Sequence, residues 1–300
     1  MSTLDGTPLA DETFEYRGLT FGQNCDIQVN SATGFHGYEV RTSDSDQPRG
    51  DGAIRGLDFV NPRMLQFKLH IWEPDIDGQL YEQFWQQVRT AFRPSRSDDF
   101  PLFFKRPGQP EQFIRCRPIQ LTRDENWTTY NRYGYPPVNL RAVDPRIYGT
   151  EEQQQIVPGF SLNRTGVDLP HVEFPMDWTT PGQSESIVQN DGNDYAWPLV
   201  RFYGPATGTT TAVAIENTTT GQVSSITTAI APNQILTQDN EAAVTGADRL
   251  VVQLDGATRY ANWALPREPF ALAPGDNTIR FTYTGQAPTC LMTWRSTSMD

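Results

Sequence analysis

The sequence of 300 residues predicts a mainly β protein with two domains, an N-terminal β-sandwich or split barrel flanked by one helix and a C-terminal β-sandwich. Three observations favour this class. Short apolar segments with strand periodicity recur along the chain, Gly and Pro number 23 each, and one segment has the apolar spacing of a helix. The hydrophobic content of 37% is sufficient for two packed cores.

The first half of the sequence is interpreted as strands around one helix. Residues 14–22 alternate loosely and end at Gly22, and residues 26–30 follow as a second strand. The clearest strand runs from residue 64 to 72, where Leu and Phe side chains alternate with polar ones. Since successive side chains of a strand point to opposite faces, its odd-numbered residues are expected in the core.

Between these strands, residues 41–53 are polar and rich in turn formers, which predicts an exposed loop or the tip of a long hairpin. An amphipathic helix is predicted from Leu80 to Phe92, because apolar residues recur at helical spacing until Pro94. Further strands are expected in the remainder of this half, at residues 101–105, 112–117 and 137–143.

The C-terminal half has a different composition, with fewer charged residues and more Thr, Asn and Gly. The domain boundary is therefore placed near Gly149, giving domains 1–148 and 149–300. Asp255-Gly256 predicts a two-residue hairpin between apolar strands, the second of them at residues 258–263. Seven or eight short strands at this spacing predict a β-sandwich or a jelly roll.

The charge balance argues against one class of partner. A net charge of −12 and an isoelectric point near 4.7 disfavour stable binding of nucleic acid, which requires clustered Lys and Arg. No apolar run approaches the roughly 18 residues that cross a bilayer, and the first residues lack the pattern of an export signal. We therefore expect a soluble protein without a membrane segment.

The sequence contains reactive residue types without the spacing that catalytic or metal sites need. The three His residues lie far apart, and the three Cys residues include no Cys-x-x-Cys pair. Paired carboxylates such as Glu173 and Asp177 are expected by chance among 36 acidic residues. We therefore expect no enzymatic activity, no cofactor and no metal site, and we assign no catalytic residue.

Aromatic residues crowd the C-terminal half, and exposed rings on a β-sandwich are a common way to hold sugars. Trp178, Trp197 and Trp263 are the candidate glycan-stacking residues. The alternative is that most of these rings fill the core.

The order of several motifs carries a resemblance to a known family. The C-terminal motifs are Asp144-Pro-Arg-Ile-Tyr148, Asn190-Asp-Gly-Asn193, a Trp/Pro strand at 197–204, Asn217-Thr-Thr-Thr-Gly221, Leu250 to Gly256, and Pro274-Gly-Asp-Asn277. The N-terminal ones are Phe14 to Gly22, Gly34 to Arg41, and Arg63 with the 64–72 strand. In this order they resemble the distal tail proteins of long, non-contractile-tailed phages (siphoviruses), which are often called minor tail proteins in phages of actinobacteria.

This resemblance implies a structural role in the virion. The N-terminal domain would be a belt domain related to the tail-tube fold, forming a ring, usually of six copies, at the far end of the tail tube. The ring would join the tube to the tail-tip hub and receptor-binding apparatus, and DNA would pass through its pore. The second domain, similar to galectins or carbohydrate-binding modules, would project outward.

The partners implied by the resemblance are the tail tube protein, the hub protein, the tape-measure protein, and receptor-binding proteins or host glycan. Assembly would take place in the host cytoplasm, and the mature protein would lie at the tail tip. Candidate contacts between copies are Arg49 and Asp51 in the exposed loop and Arg63 at the start of the long strand. The acidic composition suggests a negative pore. A carbohydrate-binding adhesin of the tail tip that recognises host cell-wall glycan is the alternative function.

Overall fold

The computed structural model describes residues 8–47, 51–72, 79–96, 98–123, 133–161, 185–245 and 251–299. The chain divides into two compact units, the first made of Met1–Glu151 with Ser298–Asp300 and the second of Glu152–Thr297. Both units are built mainly of strands, which confirms the predicted fold class. The ring-forming role expected for residues 1–148 and the outward position expected for 149–300 stay predictions.

The first unit contains one helix and a series of antiparallel strands. The strands are β1 (Thr13–Tyr16), β2 (Leu19–Gly22), β3 (Ile27–Thr33), β4 (Val40–Arg41), β5 (Ser45–Asp46), β6 (Ala53–Ile54), β7 (Phe59–Val60), β8 (Arg63–Trp72), β9 (Phe100–Lys105), β10 (Gln112–Leu121), β11 (Tyr133–Gly134), β12 (Pro137–Ala142) and β13 (Ile147–Gly149). The helix is α1 (Gln79–Ala91). The main sheet has the order β11–β8–β12–β10–β9–β1–β2, with β3 beside β8 and β13 beside β10.

Strand β10 joins the two halves of this sheet. Its first residues pair with β9, from Gln112 to Cys116, and its later residues pair with β12, from Arg117 onward. A register shift between Pro118 and Gln120 marks a β-bulge in the second half. Bulges bend a strand and increase its twist, so this one helps the sheet to fold around its core.

The core of the first unit follows from the two-sided pattern of β8. Its inward side chains at positions 65, 67, 69 and 71 are almost completely buried, as the alternation predicted. Phe67 meets the rings of Phe14, Phe21 and Phe35 at centroid distances of 5.1 to 5.6 Å. Helix α1 covers the same core with its apolar stripe, which is Tyr81, Trp85, Val88 and Ala91.

Residues 14–22 differ from the prediction of a single strand. They form β1 and β2, joined by a tight turn at Arg17 and Gly18, whose φ angles are 52° and 83°. Two consecutive positive φ angles are typical of a type I′ hairpin turn. Such turns usually carry Asn, Asp or Gly at the first of these positions, and Arg is rarely found there. Gly18 was therefore the only sequence signal for the turn.

The second unit is a sandwich of two sheets. Its strands are β14 (Gln153–Val157), β15 (Gly159–Ser161), β16 (Glu185–Asn190), β17 (Leu199–Tyr203), β18 (Thr210–Asn217), β19 (Gln222–Ile226), β20 (Ile235–Asp239), β21 (Val252–Leu254), β22 (Ala257–Thr258), β23 (Gly275–Gly285) and β24 (Thr289–Trp294), and β25 (Thr297–Ser298) runs from its last residue into the first unit. One sheet has the order β14–β24–β17–β20–β21–β22, and the other has β15–β23–β18–β19 with β16 also beside β23. A short helix, α2 (Asn240–Thr245), was not predicted.

The predicted turn at Asp255-Gly256 joins β21 and β22, with φ angles of 48° and 82°. The strand expected at residues 258–263 is shorter, because the chain leaves β22 after Thr258 and enters a 3-10 turn, Tyr260–Asn262. This turn allows Trp263 to enter the core, where its indole N–H donates to Ser224 Oγ at 2.9 Å.

Buried amide side chains hold the long loop that precedes β23 against the rest of the second unit. Asn277 donates from Nδ2 to the carbonyls of Ala273 and Gly275, and its Oδ1 accepts from the N–H of Ala273 and from Asn217 Nδ2. Asn217 also donates to the carbonyl of Ala271 at 2.9 Å. Because the side chains of Asn217 and Asn277 are fully buried, a bond lost by either amide would leave an unsatisfied polar atom.

We expect Asn277→Ala to lower the free energy of unfolding by about 2–4 kcal/mol, because the buried amide of Asn217 and the backbone groups of Ala273 and Gly275 would lose their bonds together. Urea unfolding measures the change. The matched control is Gln154→Ala on exposed β14, for which a change within about 0.5 kcal/mol is expected. Equal stability of the two variants would contradict a stabilising role for the amide cluster.

Candidate functional site

The most distinctive surface of the first unit is a hairpin arm, residues 38–60, in which two pairs of short strands follow one another. Its strands pair only with each other in the described part of the chain, β4 with β7 and β5 with β6. From Tyr38 to Phe59 every described residue is exposed except Gly56, which is half-buried. Of the two predictions for residues 41–53, an exposed loop or the tip of a long hairpin, the strand pairs agree with the hairpin. The arm is longer than the polar segment that predicted it.

The arm exposes apolar side chains to water. Leu57 is 72% exposed, and it has four exposed apolar neighbours in the arm, which are Tyr38, Val40, Ile54 and Phe59. Isolated two-stranded hairpins are marginally stable in water, and exposed apolar groups of this kind are typical of protein contact surfaces. The arm is thus a candidate contact surface.

Internal contacts nevertheless hold the arm in shape. Ser43 Oγ donates to the carbonyl of Leu57 at 2.8 Å, and the N–H of Gly56 donates to Asp44 Oδ1 at 2.8 Å. A Cβ at Gly56 would lie 2.2 Å from the Ser43 carbonyl oxygen, so only glycine permits this close crossing. A preformed arm loses less conformational entropy when it binds a partner.

The structure of the arm places one of the predicted contact residues. Asp51 lies exposed at the tip, between β5 and β6, and Arg49 is outside the described residues. The apolar residues that flank the tip were missed because the sequence interpretation stopped at Ala53. The alternation of Leu57 and Phe59 directly after a turn-rich segment is the signal that could have identified them.

Arg63, the third candidate contact, is buried, with 6% of its surface exposed. Its guanidinium donates to the carbonyls of Gly34, Phe35 and Pro145 at 2.8 to 3.1 Å, and also to that of Met299. The side chain therefore ties three segments of the first unit together at the root of the arm. An open cavity of about 340 Å³ lies beside it, lined in part by arm residues.

The candidate glycan-stacking residues of the second unit have different environments. Trp263 is 3% exposed and belongs to the core, whereas Trp197 is half-buried and Trp178 is outside the described residues. Trp197 lies beside exposed Tyr195, with a ring-centroid distance of 6.5 Å. Ala196 between them is fully buried, so both rings are on the outer side of this segment.

Reactive side chains are not gathered into a site in the described part of the chain. Burial raises the pKa of the Cys116 and Cys290 thiols, which keeps both protonated at neutral pH. His70 stacks on Tyr135 at 4.8 Å, and His36 is exposed. No group of three or more His, Cys, Asp or Glu side chains suited to a metal occurs among these residues, and none of their helices could span a membrane.

Comparison with solved structures shows a similar fold. The chain matches the crystal structure of the SPP1 Dit (gp 19.1) protein, described as a paradigm of the hub adsorption apparatus in phages that infect Gram-positive bacteria. The TM-score is 0.64 and the identity 13%, over 95% of this chain and 98% of that chain. The fold implied by the resemblance to distal tail proteins is thereby confirmed.

Two structures of the phage p2 baseplate in its activated conformation, with Sr and with Ca, match more weakly. Their TM-scores are 0.46 and 0.44, with 10% and 9% identity, over 97% of this chain and 95% of each of those chains. No protein-family model matches the chain, and no curated protein sequence matches it.

We expect Arg63→Ala to destabilise the first unit by about 2–4 kcal/mol, because the hydrogen bonds of a buried charged group to four carbonyls would be lost. Thermal and urea unfolding measure this change. Lys68→Ala, at an exposed position of the same strand, is the control and should change stability by about 0.5 kcal/mol or less. A stable Arg63→Ala variant that fails only in assembly would instead make Arg63 a contact between copies.

Proposed function

We propose that this chain is a structural virion protein that forms a ring at the distal end of a phage tail tube. The ring joins the tube to the tail-tip hub and receptor-binding apparatus, and DNA passes through its pore. The observation that carries the proposal is the shared fold with the SPP1 hub protein, which extends over nearly the full length of both chains. The exposed apolar arm supports it independently.

Ring closure has a physical requirement that the arm can meet. A head-to-tail ring needs two different, complementary surfaces on each copy, whereas a two-fold dimer uses one surface twice. Because the arm extends away from the sheet, it can contact a neighbouring copy while the core of its own unit stays intact. We therefore assign the contacts between the six copies of the ring to the apolar residues of the arm and to Asp51 at its tip. Arg49, which lies outside the described residues, stays a sequence-based candidate for the same contact.

A structural role also agrees with the chemistry of the described residues. Their two buried thiols are held protonated, and their imidazoles are separate from one another. The SPP1 neighbour is described as part of an adsorption apparatus and not as an enzyme. We assign the chain a non-enzymatic function without a cofactor.

The proposed ring defines its partners by position. The tail tube protein and the tape-measure protein would meet it from above, and the hub and receptor-binding proteins from below. The protein would assemble in the host cytoplasm and remain at the tail tip of the virion.

The arm can be tested by reversing its apolar character. Leu57→Asp combined with Phe59→Asp should abolish ring formation, because two side chains worth about 1.5–3 kcal/mol each on burial would become charged. Negative-stain electron microscopy and size-exclusion chromatography would show monomers in place of closed rings.

The matched control is Ile156→Asp combined with Ile187→Asp, which changes two similarly exposed apolar residues in the second unit. This variant should form rings like the unmodified protein. Rings from the arm variant would contradict the proposed contact, and a monomeric unmodified protein at high concentration would contradict the proposed function.

A glycan-binding adhesin is retained as a second candidate because of one observation. Tyr195 and Trp197 place two aromatic rings side by side at the surface, next to the polar residues Asn193 and Asp194. Rings with adjacent hydrogen-bonding groups are suited to sugars, which stack on aromatic faces.

If this surface binds host cell-wall glycan, Trp197→Ala should weaken binding by about tenfold, equivalent to the roughly 1.4 kcal/mol of one stacking contact. Trp197→Phe, which keeps a ring, should retain most of the affinity. Isothermal titration with purified cell-wall glycan measures both. Equal binding by the unmodified protein and Trp197→Ala would exclude this site.

A further inference from the structure

One sheet face of the first unit is polar across four neighbouring strands. The outward side chains of β3, β8, β12 and β10 form this polar face. Thr33, Gln66, Asn139 and Gln120 lie in a single row across it, one from each strand. The amide of Asn139 donates to Gln120 Oε1 at 2.8 Å, so part of this row is held by cross-strand hydrogen bonds.

The charge of these four strands is opposite to that of the chain. None of their residues is Asp or Glu, although the whole sequence carries 36 acidic residues and a net charge of −12. Five of their residues are Lys or Arg, and Arg63 is the only one of the five that is buried. The cations of these strands are Arg63, Lys68, Arg115, Arg117 and Arg141.

Lys68 and Arg141 supply the exposed positive charge of the polar face. Within the described residues, no carboxylate lies within 4 Å of either side chain. Arg117 lies directly opposite Arg141 and is 3.6 Å from Asp99, which offsets part of its charge. Like charges opposite each other on a sheet are unfavourable, and an anion near the face would relieve this repulsion.

The polar face and the arm expose different kinds of side chain, polar ones on the face and apolar ones on the arm. The arm exposes five large apolar side chains, whereas the row of Thr33, Gln66, Asn139 and Gln120 across the polar face contains only amides and a hydroxyl. The exposed large apolar residues on or beside these strands include Met64, Ile119 and Tyr135, and Tyr135 is stacked on His70. Hydrated amides and cations would be costly to bury between copies, so this face is suited to remain in water after assembly.

We propose that the polar face lines the channel of the ring and that Lys68 and Arg141 face the phosphates of passing double-stranded DNA. This inference rests on the proposed ring, and it replaces the negative channel expected from overall composition with a weakly positive one. Repeated around the ring, two cations per copy attract the phosphate backbone, whose binding releases counterions. The uncharged amides between them limit the attraction, so DNA is guided and not retained.

The test uses preformed rings and fluorescein-labelled DNA duplexes at low salt. Lys68→Glu combined with Arg141→Glu should weaken the binding of linear duplex by about tenfold or more and reduce its salt dependence. The matched control, Arg89→Glu with Arg96→Glu, makes the same change in net charge at exposed positions of the same unit and should bind like the unmodified ring. Fluorescence anisotropy across a salt series measures all three.

Topology distinguishes the channel from the outer surface. A linear duplex can enter a closed ring, whereas a covalently closed circular duplex cannot, so the unmodified ring should prefer the linear form. No binding, equal binding by the Lys68/Arg141 and control variants, or equal affinity for both DNA forms would overturn the inference. Loss of rings on reversing Lys68 and Arg141 would also overturn it, by making the polar face a contact between copies. Failure of the unmodified protein to form rings would instead overturn the proposed function.

Discussion

The alternation of side chains along β8 is the constraint on which the first unit depends. Every second residue of this strand enters an aromatic and aliphatic core, and the residues between them, Gln66, Lys68 and His70, remain outside. A shift of register by one residue would place the apolar set in water and bury the polar set. Because β8 pairs with β3, β11 and β12, the same register fixes which side chains its neighbours expose. The core and the polar face are thus two consequences of one pattern.

The arm follows a different principle from the sheet that carries it. Its strands bury almost nothing, and its shape depends on local contacts such as the bond between Ser43 Oγ and the Leu57 carbonyl and the close crossing at Gly56. At its root, the guanidinium of Arg63 binds carbonyls from three separate segments and anchors the arm to the folded unit. A projecting element of this kind stabilises the single copy little, and its apolar residues gain most when they are buried by another molecule.

The second unit stabilises its long connections with buried amides as well as apolar packing. Asn240 accepts from the N–H of Phe270 and donates to the carbonyl of Pro198, and Trp263 donates to Ser224 inside the core. Such side chains satisfy backbone groups of the loops that are buried away from water. They also hold the segments around the Tyr195 and Trp197 rings, which gives that outer surface a fixed geometry.

Local turn chemistry and side-chain periodicity were enough to predict the β class, the hairpin at Asp255-Gly256, the helix ending near Phe92 and the inward residues of β8. Which exposed residues lie together depends on strand pairing and became visible only in the fold. Burial of Arg63 and Trp263, the apolar extent of the arm beyond Ala53, and the acid-free face of four strands distant in sequence all depend on long-range pairing. The net charge is an average over the whole chain, whereas strand pairing determines which charged residues share a face. The acidic composition therefore did not reveal the cations of the polar face.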